Sequence, residues 1–209
     1  MVEIRRPIFV VGENPGLTLY TPGTDDVVAV ASYWHCVASP WGIGHVLVLW
    51  LDPVIMAAPS AVGQGGIWTD NFDLARGLVE SLVQHFNEFQ DIPLTPLAYR
   101  AAPCQHSFDR DRYRVVCQAA GIQITLAWGK ILDWKQVVWP RFPAGSAAYD
   151  LTTTICPCEE AQIAVDGVAL AGQVRLAQTA EGTTASSAFL AFAETWIGPL
   201  TPDQTETNE

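Results

Sequence analysis

Apolar and polar positions change period twice along the chain, and the changes mark its elements. Residues 27–37 and 43–51 are rich in Val, Leu, Tyr and Trp, the composition of strands. Ser39, Pro40 and Gly42 lie between them and suit a turn. The two runs therefore read as a hairpin centred near Pro40. That register opposes His35 to His45, Tyr33 to Leu47 and Ala31 to Leu49, and directly opposed residues share a face. Residues 53–66 read as a loop, punctuated by Pro53, Pro59 and the glycines at 63, 65 and 66.

A helical period follows. Phe72, Ala75, Val79, Leu82, Phe86 and Phe89 recur at steps of three and four, and Leu74, Leu78 and Val83 widen the stripe. Asp73, Arg76, Glu80, Gln84 and Asn87 fall on the other side. This predicts an amphipathic helix over 70–90, capped by Asp70 or Asn71 and stopped by Pro93. Beyond Pro96 the period returns to two. Tyr113, Val115 and Cys117 alternate with Arg114, Val116 and Gln118, and residues 122–128 answer across an Ala120-Gly121 turn. Further strands are expected at 151–155 and 187–197. Asp166-Gly167 is the strongest hairpin signal, because both residues tolerate the positive φ of a type I′ turn.

Strands, one helix and strands again do not alternate as βαβ units. The expected fold is mainly β (α+β): a curled antiparallel sheet or barrel with one amphipathic helix packed against it. Trp34, Trp50, Trp128, Trp134 and Trp196 are expected to fill its core. Residues 1–200 read as a single β-rich domain and 201–209 as an acidic flexible tail. The chain has 209 residues, 49% of them hydrophobic and 16% charged, which excludes a disordered polymer. A formal charge of −11 argues against nucleic acid and anionic membrane surfaces as partners. No apolar run approaches the length of a membrane helix. Five cysteines, an odd number, follow a short charged start with no signal-like segment, so reduced thiols and a cytoplasmic location are expected.

Two segments resemble the acetoacetate decarboxylase-like family. Val30-Ala31-Ser32-Tyr33 leads to Ser39-Pro40-Trp41-Gly42-Ile43-Gly44-His45, and Ile67-Trp68-Thr69-Asp70-Asn71-Phe72-Asp73 leads into a helical stretch ending near Glu88-Phe89. The resemblance implies a cone-shaped antiparallel barrel with an apolar cavity. It also implies a lysine that forms a Schiff base with a β-keto acid, and a turn glutamate. The lysine's window falls here on Gln84-His85-Phe86 and the glutamate's on His45 or Val46, so neither is matched.

The candidate catalytic residues are His35, His45 and Lys130. The histidines read as a cross-strand pair able to act as acid and base, or to bind a metal if a third ligand were supplied. No HxH or HExxH spacing supplies one, so neither metal nor other cofactor is expected. Lys130 follows Trp128-Gly129 and is, with Lys135, one of two lysines. Tyr33, Arg114, Trp128 and Glu194 are the candidate substrate contacts, with Arg114 read as a buried cation opposite Leu126 that meets Glu194 or an acidic ligand. Cys156-Pro157-Cys158 reads as two small buried hydrophobes rather than a redox or metal pair. No P-loop, G-x-G-x-x-G or G-x-S-x-G motif is present. The expected function is binding of a small, largely apolar or keto-acid-like molecule in a barrel interior. The alternatives are an enzyme acting on a keto acid or polyketide-like substrate, and an assembly protein using an apolar surface. The expected partner is a small-molecule ligand, and a homo-oligomer is left open.

Overall fold

In the computed structural model residues 6–54, 62–119, 121–145, 147–178 and 184–198 are described, so the 201–209 tail and residues 55–61 of the expected 53–66 loop lie outside them. The strands are β1 (Ile8–Glu13), β2 (Gly16–Tyr20), β3 (Val27–Ala38), β4 (Gly44–Leu51) and β5 (Gly65–Thr69), followed by the helix α1 (Phe72–Ser81). After it come β6 (Tyr99–Ala101), β7 (Cys104–Asp109), β8 (Arg112–Ala119), β9 (Ile122–Ile131) and β10 (Lys135–Ala144). The last are β11 (Ala147–Val165), β12 (Val168–Ala169), β13 (Leu176–Gln178), β14 (Thr184–Ser186) and β15 (Ala188–Ile197).

The main sheet runs β6-β5-β4-β3-β1-β15-β11-β9-β8-β7, with β10 and β12 on β11 and β2 against β15 and β3. It curls without closing into a barrel, and β5 pairs β6 in parallel, so it is mixed rather than wholly antiparallel. The β3–β4 hairpin has the expected register: His35 opposes His45 and Tyr33 opposes Leu47. Val165 opposes Val168 across Asp166 (φ 49°) and Gly167 (φ 79°), the positive pair that a type I′ turn requires.

Two cores lie on opposite faces of β3 and β4. Alternation sends Ala29, Ala31, Tyr33, Leu47 and Leu49 to the concave side, where they meet Tyr113, Val115, Leu126, Trp128 and Leu190. Val30, Trp34, Val46 and Val48 point the other way and pack beneath Leu74, Leu78, Leu82 and Phe86.

Asn71 caps α1, its side chain accepting the Asp73 and Leu74 amides at 3.1 Å each. The helix ends at Ser81, short of the expected 90. Short 3₁₀ turns at Val83–His85 and Asn87–Phe89 carry the apolar stripe onward, since a three-residue repeat also keeps one face. Gly77 is where Trp41 lies on the helix. A Cβ there would meet the indole at 2.1 Å. Gly77→Ala is accordingly expected to cost about 1–3 kcal/mol by overpacking, measured by urea unfolding, although alanine is the better helix former.

Three readings are corrected. The β8–β9 pairing puts Arg114 opposite Ala127, one residue from the expected register, and Arg114 is exposed. Trp134 is 55% exposed and Trp50 only half-buried, while Trp68 is fully buried. Cys104 and Cys117 form a disulfide between β7 and β8, against the expectation of reduced thiols throughout. Cys156 and Cys158 are free and buried in the concave core, as small hydrophobes. Among the described residues no helix is long and apolar enough to cross a membrane.

Candidate functional site

An apolar pocket of about 500 Å³ opens on the helix side of the sheet, where β10, β11 and β15 face the turns after α1. Phe86, Phe142, Leu151, Ile155 and Trp196 supply much of its wall, and Lys135, Glu88 and Glu194 bring charge to it. The volume lies in the usual range for a small-molecule site, roughly 300–1,000 Å³.

Glu194 is the unusual member. It is 3% exposed, on a strand otherwise given to apolar packing. Trp196, two residues on and so on the same strand face, donates its indole N–H to Glu194 Oε1 at 2.7 Å. Ser32 Oγ donates to Asn14 Oδ1 at 2.9 Å, which leaves the Asn14 amide nitrogen to donate to Glu194. Burial pushes the Glu194 carboxyl up to about 7, and the two donors only partly oppose it. Glu88 adds to the rise, and its own carboxyl is raised by burial. The pocket thus holds a carboxyl group able to give or take a proton near neutrality, in apolar surroundings that strengthen its hydrogen bonds.

The other predicted residues divide into two groups. His35, His45 and Tyr33 come together at the rim of the concave face, with the His35 and His45 rings stacked at 4.8 Å and 11°. His106 on β7 joins them, its ring 4.6 Å from that of His35. Tyr33 Oη lies 3.2 Å from His106 Nδ1, and Asp70 Oδ2 lies 2.7 Å from His45 Nδ1. Burial, then His106 and His45, hold the His35 imidazole below its ordinary value. Lys130, Arg114 and Trp128 stand apart. Lys130 is exposed and pairs with Glu160 at 2.7 Å and Glu159 at 3.5 Å. The hydrogen bond to Glu160 raises its pKa, the opposite of what a nucleophilic amine needs. Trp128 is core, its indole donating to the Gly16 carbonyl at 3.0 Å. Glu194 is buried, but its partners are Trp196 and Asn14, and Arg114 lies on an exposed position of β8.

Lysine reactivity gives a simple check. Borohydride trapping with acetoacetate, followed by mass mapping, is expected to leave Lys130 unmodified. A stable adduct on Lys130 would overturn its assignment to the surface ion pairs.

The sequence matches no family model and no curated protein. In structure the chain is similar to acetoacetate decarboxylase from Legionella pneumophila subsp. pneumophila str. Philadelphia 1, at 10% identity and a TM-score of 0.38. The match covers 93% of this chain and 86% of that one.

His106 and Lys135 are the residues that sequence reasoning missed. His106 carries a weak signal, standing two residues from Cys104 in an alternating run. Lys135 is the second of only two lysines and lacks the Trp-Gly pair that precedes Lys130.

Proposed function

We propose that the protein binds a small, largely apolar molecule bearing a carbonyl and an acidic group in the pocket around Glu194. The observation that carries this reading is a fully buried carboxyl, held by two donors, in the wall of an apolar pocket. A protonated Glu194 donates a hydrogen bond to a carbonyl oxygen. Phe86, Phe142 and Leu151 take the apolar body, and the Lys135 ammonium attracts the carboxylate. A keto acid combines these three features. A second reading, that the pocket also works on such a molecule, draws on the Glu194 carboxyl at about 7, a value suited to general acid or base catalysis at neutral pH.

The test is calorimetric titration with a series of alkyl and aryl keto acids and the matching neutral ketones. Val137 is half-buried and lines the pocket, so Val137→Trp fills it without entering the packed core. That variant is expected to lose about tenfold or more in affinity. Lys135→Ala is expected to weaken the keto acids and leave the ketones unchanged. Wild-type affinity in Val137→Trp, or no binding by any member of the series, would contradict the proposal.

A further inference from the structure

The three-histidine cluster lies on the other face of β3 from the Glu194 pocket and needs a separate explanation. Three of the four histidines of the chain meet there, brought by β3, β4 and β7. In the sheet order β7 is at the far end from β4, so only the curl of the sheet closes the group. The disulfide at Cys104, two residues from His106, ties β7 to β8 at this point.

We infer that His35, His45 and His106 form a binding site for a divalent first-row transition ion, with Zn²⁺ the expected occupant. Each imidazole offers one nitrogen, and the three lie within 4.8 Å of one another. Tetrahedral Zn–N bonds of about 2.0–2.1 Å place neighbouring nitrogens near 3.4 Å, so the rings must close by about an ångström. Half-buried side chains at a sheet rim make that adjustment by small rotations.

The surroundings are those of a ligating set. Asp70 on His45 Nδ1 and Tyr33 on His106 Nδ1 leave Nε2 of both rings free to coordinate. A carboxylate behind a ligating histidine fixes its orientation and raises its basicity. Asp70 is itself anchored, accepting the His45 backbone N–H at 2.7 Å. Its charge and that of Glu13, which accepts from Tyr113 Oη at 2.6 Å, favour a cation. Three imidazoles without a thiolate suit Zn²⁺ or its neighbours rather than Mg²⁺ or Ca²⁺. A three-histidine set leaves a fourth position, and His35, His45 and Asp70 also line a surface depression of about 800 Å³.

The experiment uses tag-free full-length protein, stripped with a chelator and titrated with Zn²⁺ by competition calorimetry. Co²⁺ absorption reports the coordination geometry. The expected result is one equivalent bound at micromolar affinity or tighter, with the intense visible bands of a tetrahedral cobalt site. His106→Gln and His35→Gln should each lose at least about a hundredfold, and Asp70→Asn about 10–100-fold. His85→Gln, outside the cluster, should bind as wild type. Circular dichroism verifies that each variant is folded. Zn²⁺ binding no tighter than millimolar, or wild-type affinity in folded His106→Gln or His35→Gln, would overturn the site.

Discussion

Val79→Asp is expected to destabilise the protein by about 3–5 kcal/mol, because it buries a charge in an apolar core. Val79 is 7% exposed on α1 and belongs to the core beneath the helix, with Leu74, Leu78 and Leu82. Its companions in that core are apolar, so a carboxylate buried among them loses its hydration. The loss of valine's own burial adds about 1.5 kcal/mol or more to that cost. Glu80→Ala, one residue on and exposed, is the matched control and should change stability by less than about 0.5 kcal/mol. Urea unfolding of both variants measures the difference. A Val79→Asp protein within about 0.5 kcal/mol of wild type would remove α1 from the core it is described as sealing.

Glu194→Gln is expected to change stability in a pH-dependent way, and the direction follows from the raised carboxyl. The folded protein holds the Glu194 proton up to about 7, whereas an unfolded glutamate releases it near ~4.3. Below the unfolded value both states are protonated and this group contributes no pH dependence. Between the two values the folded state binds more protons, so wild-type stability falls as pH rises. Above the folded value the loss is complete, and the full effect is roughly 4 kcal/mol by linkage. Glutamine resembles the protonated acid and still accepts from the Trp196 indole. The variant is therefore expected to match wild type near pH 4, to gain on it as pH rises to about 7, and to hold that gap at pH 8. Paired urea titrations across that range measure the gap. A gap that stays constant, or one that shrinks with rising pH, would contradict a buried, proton-holding Glu194.

The legible parts of the fold were those written in local chemistry. The His35–His45 pairing follows from strand alternation on either side of the Pro40 turn. The Asp166-Gly167 hairpin follows from two residues that accept positive φ. The β8–β9 register shows how little separates a correct reading from an inverted one. Centring that turn on a single residue pairs Arg114 with Leu126. In the structure Ala119 opposes Ile122, which leaves a two-residue connection and moves every partner by one. One step of register exchanges the faces, and the supposed buried cation becomes an exposed arginine. The apolar stripe overstates the length of α1 because the 3₁₀ turns bury Val83, Phe86 and Phe89 in the same rhythm as the helix.

The candidate sites were less legible because both are assembled from distant strands. Glu194 reads from the sequence as a partner for Arg114, yet its donors are Trp196, which is local, and Asn14, which lies at the other end of the chain. Lys135 reaches the pocket only because β10 folds back on β11. His106 meets His35 through the curl of the whole sheet, and no spacing motif encodes that approach.

Methyl NMR during titration with an aryl keto acid shows whether a small apolar acid occupies the Glu194 pocket. Val137, Leu151 and Ile155 line the pocket, whereas Leu47 and Leu126 sit in the packed concave core. The expected result is saturable shifts of the methyl groups of the first three residues with those of the last two unmoved, and loss of the Leu151 and Ile155 shifts in Val137→Trp. Shifts confined to Leu47 and Leu126, or pocket methyls that do not respond to any keto acid of the series, would contradict it.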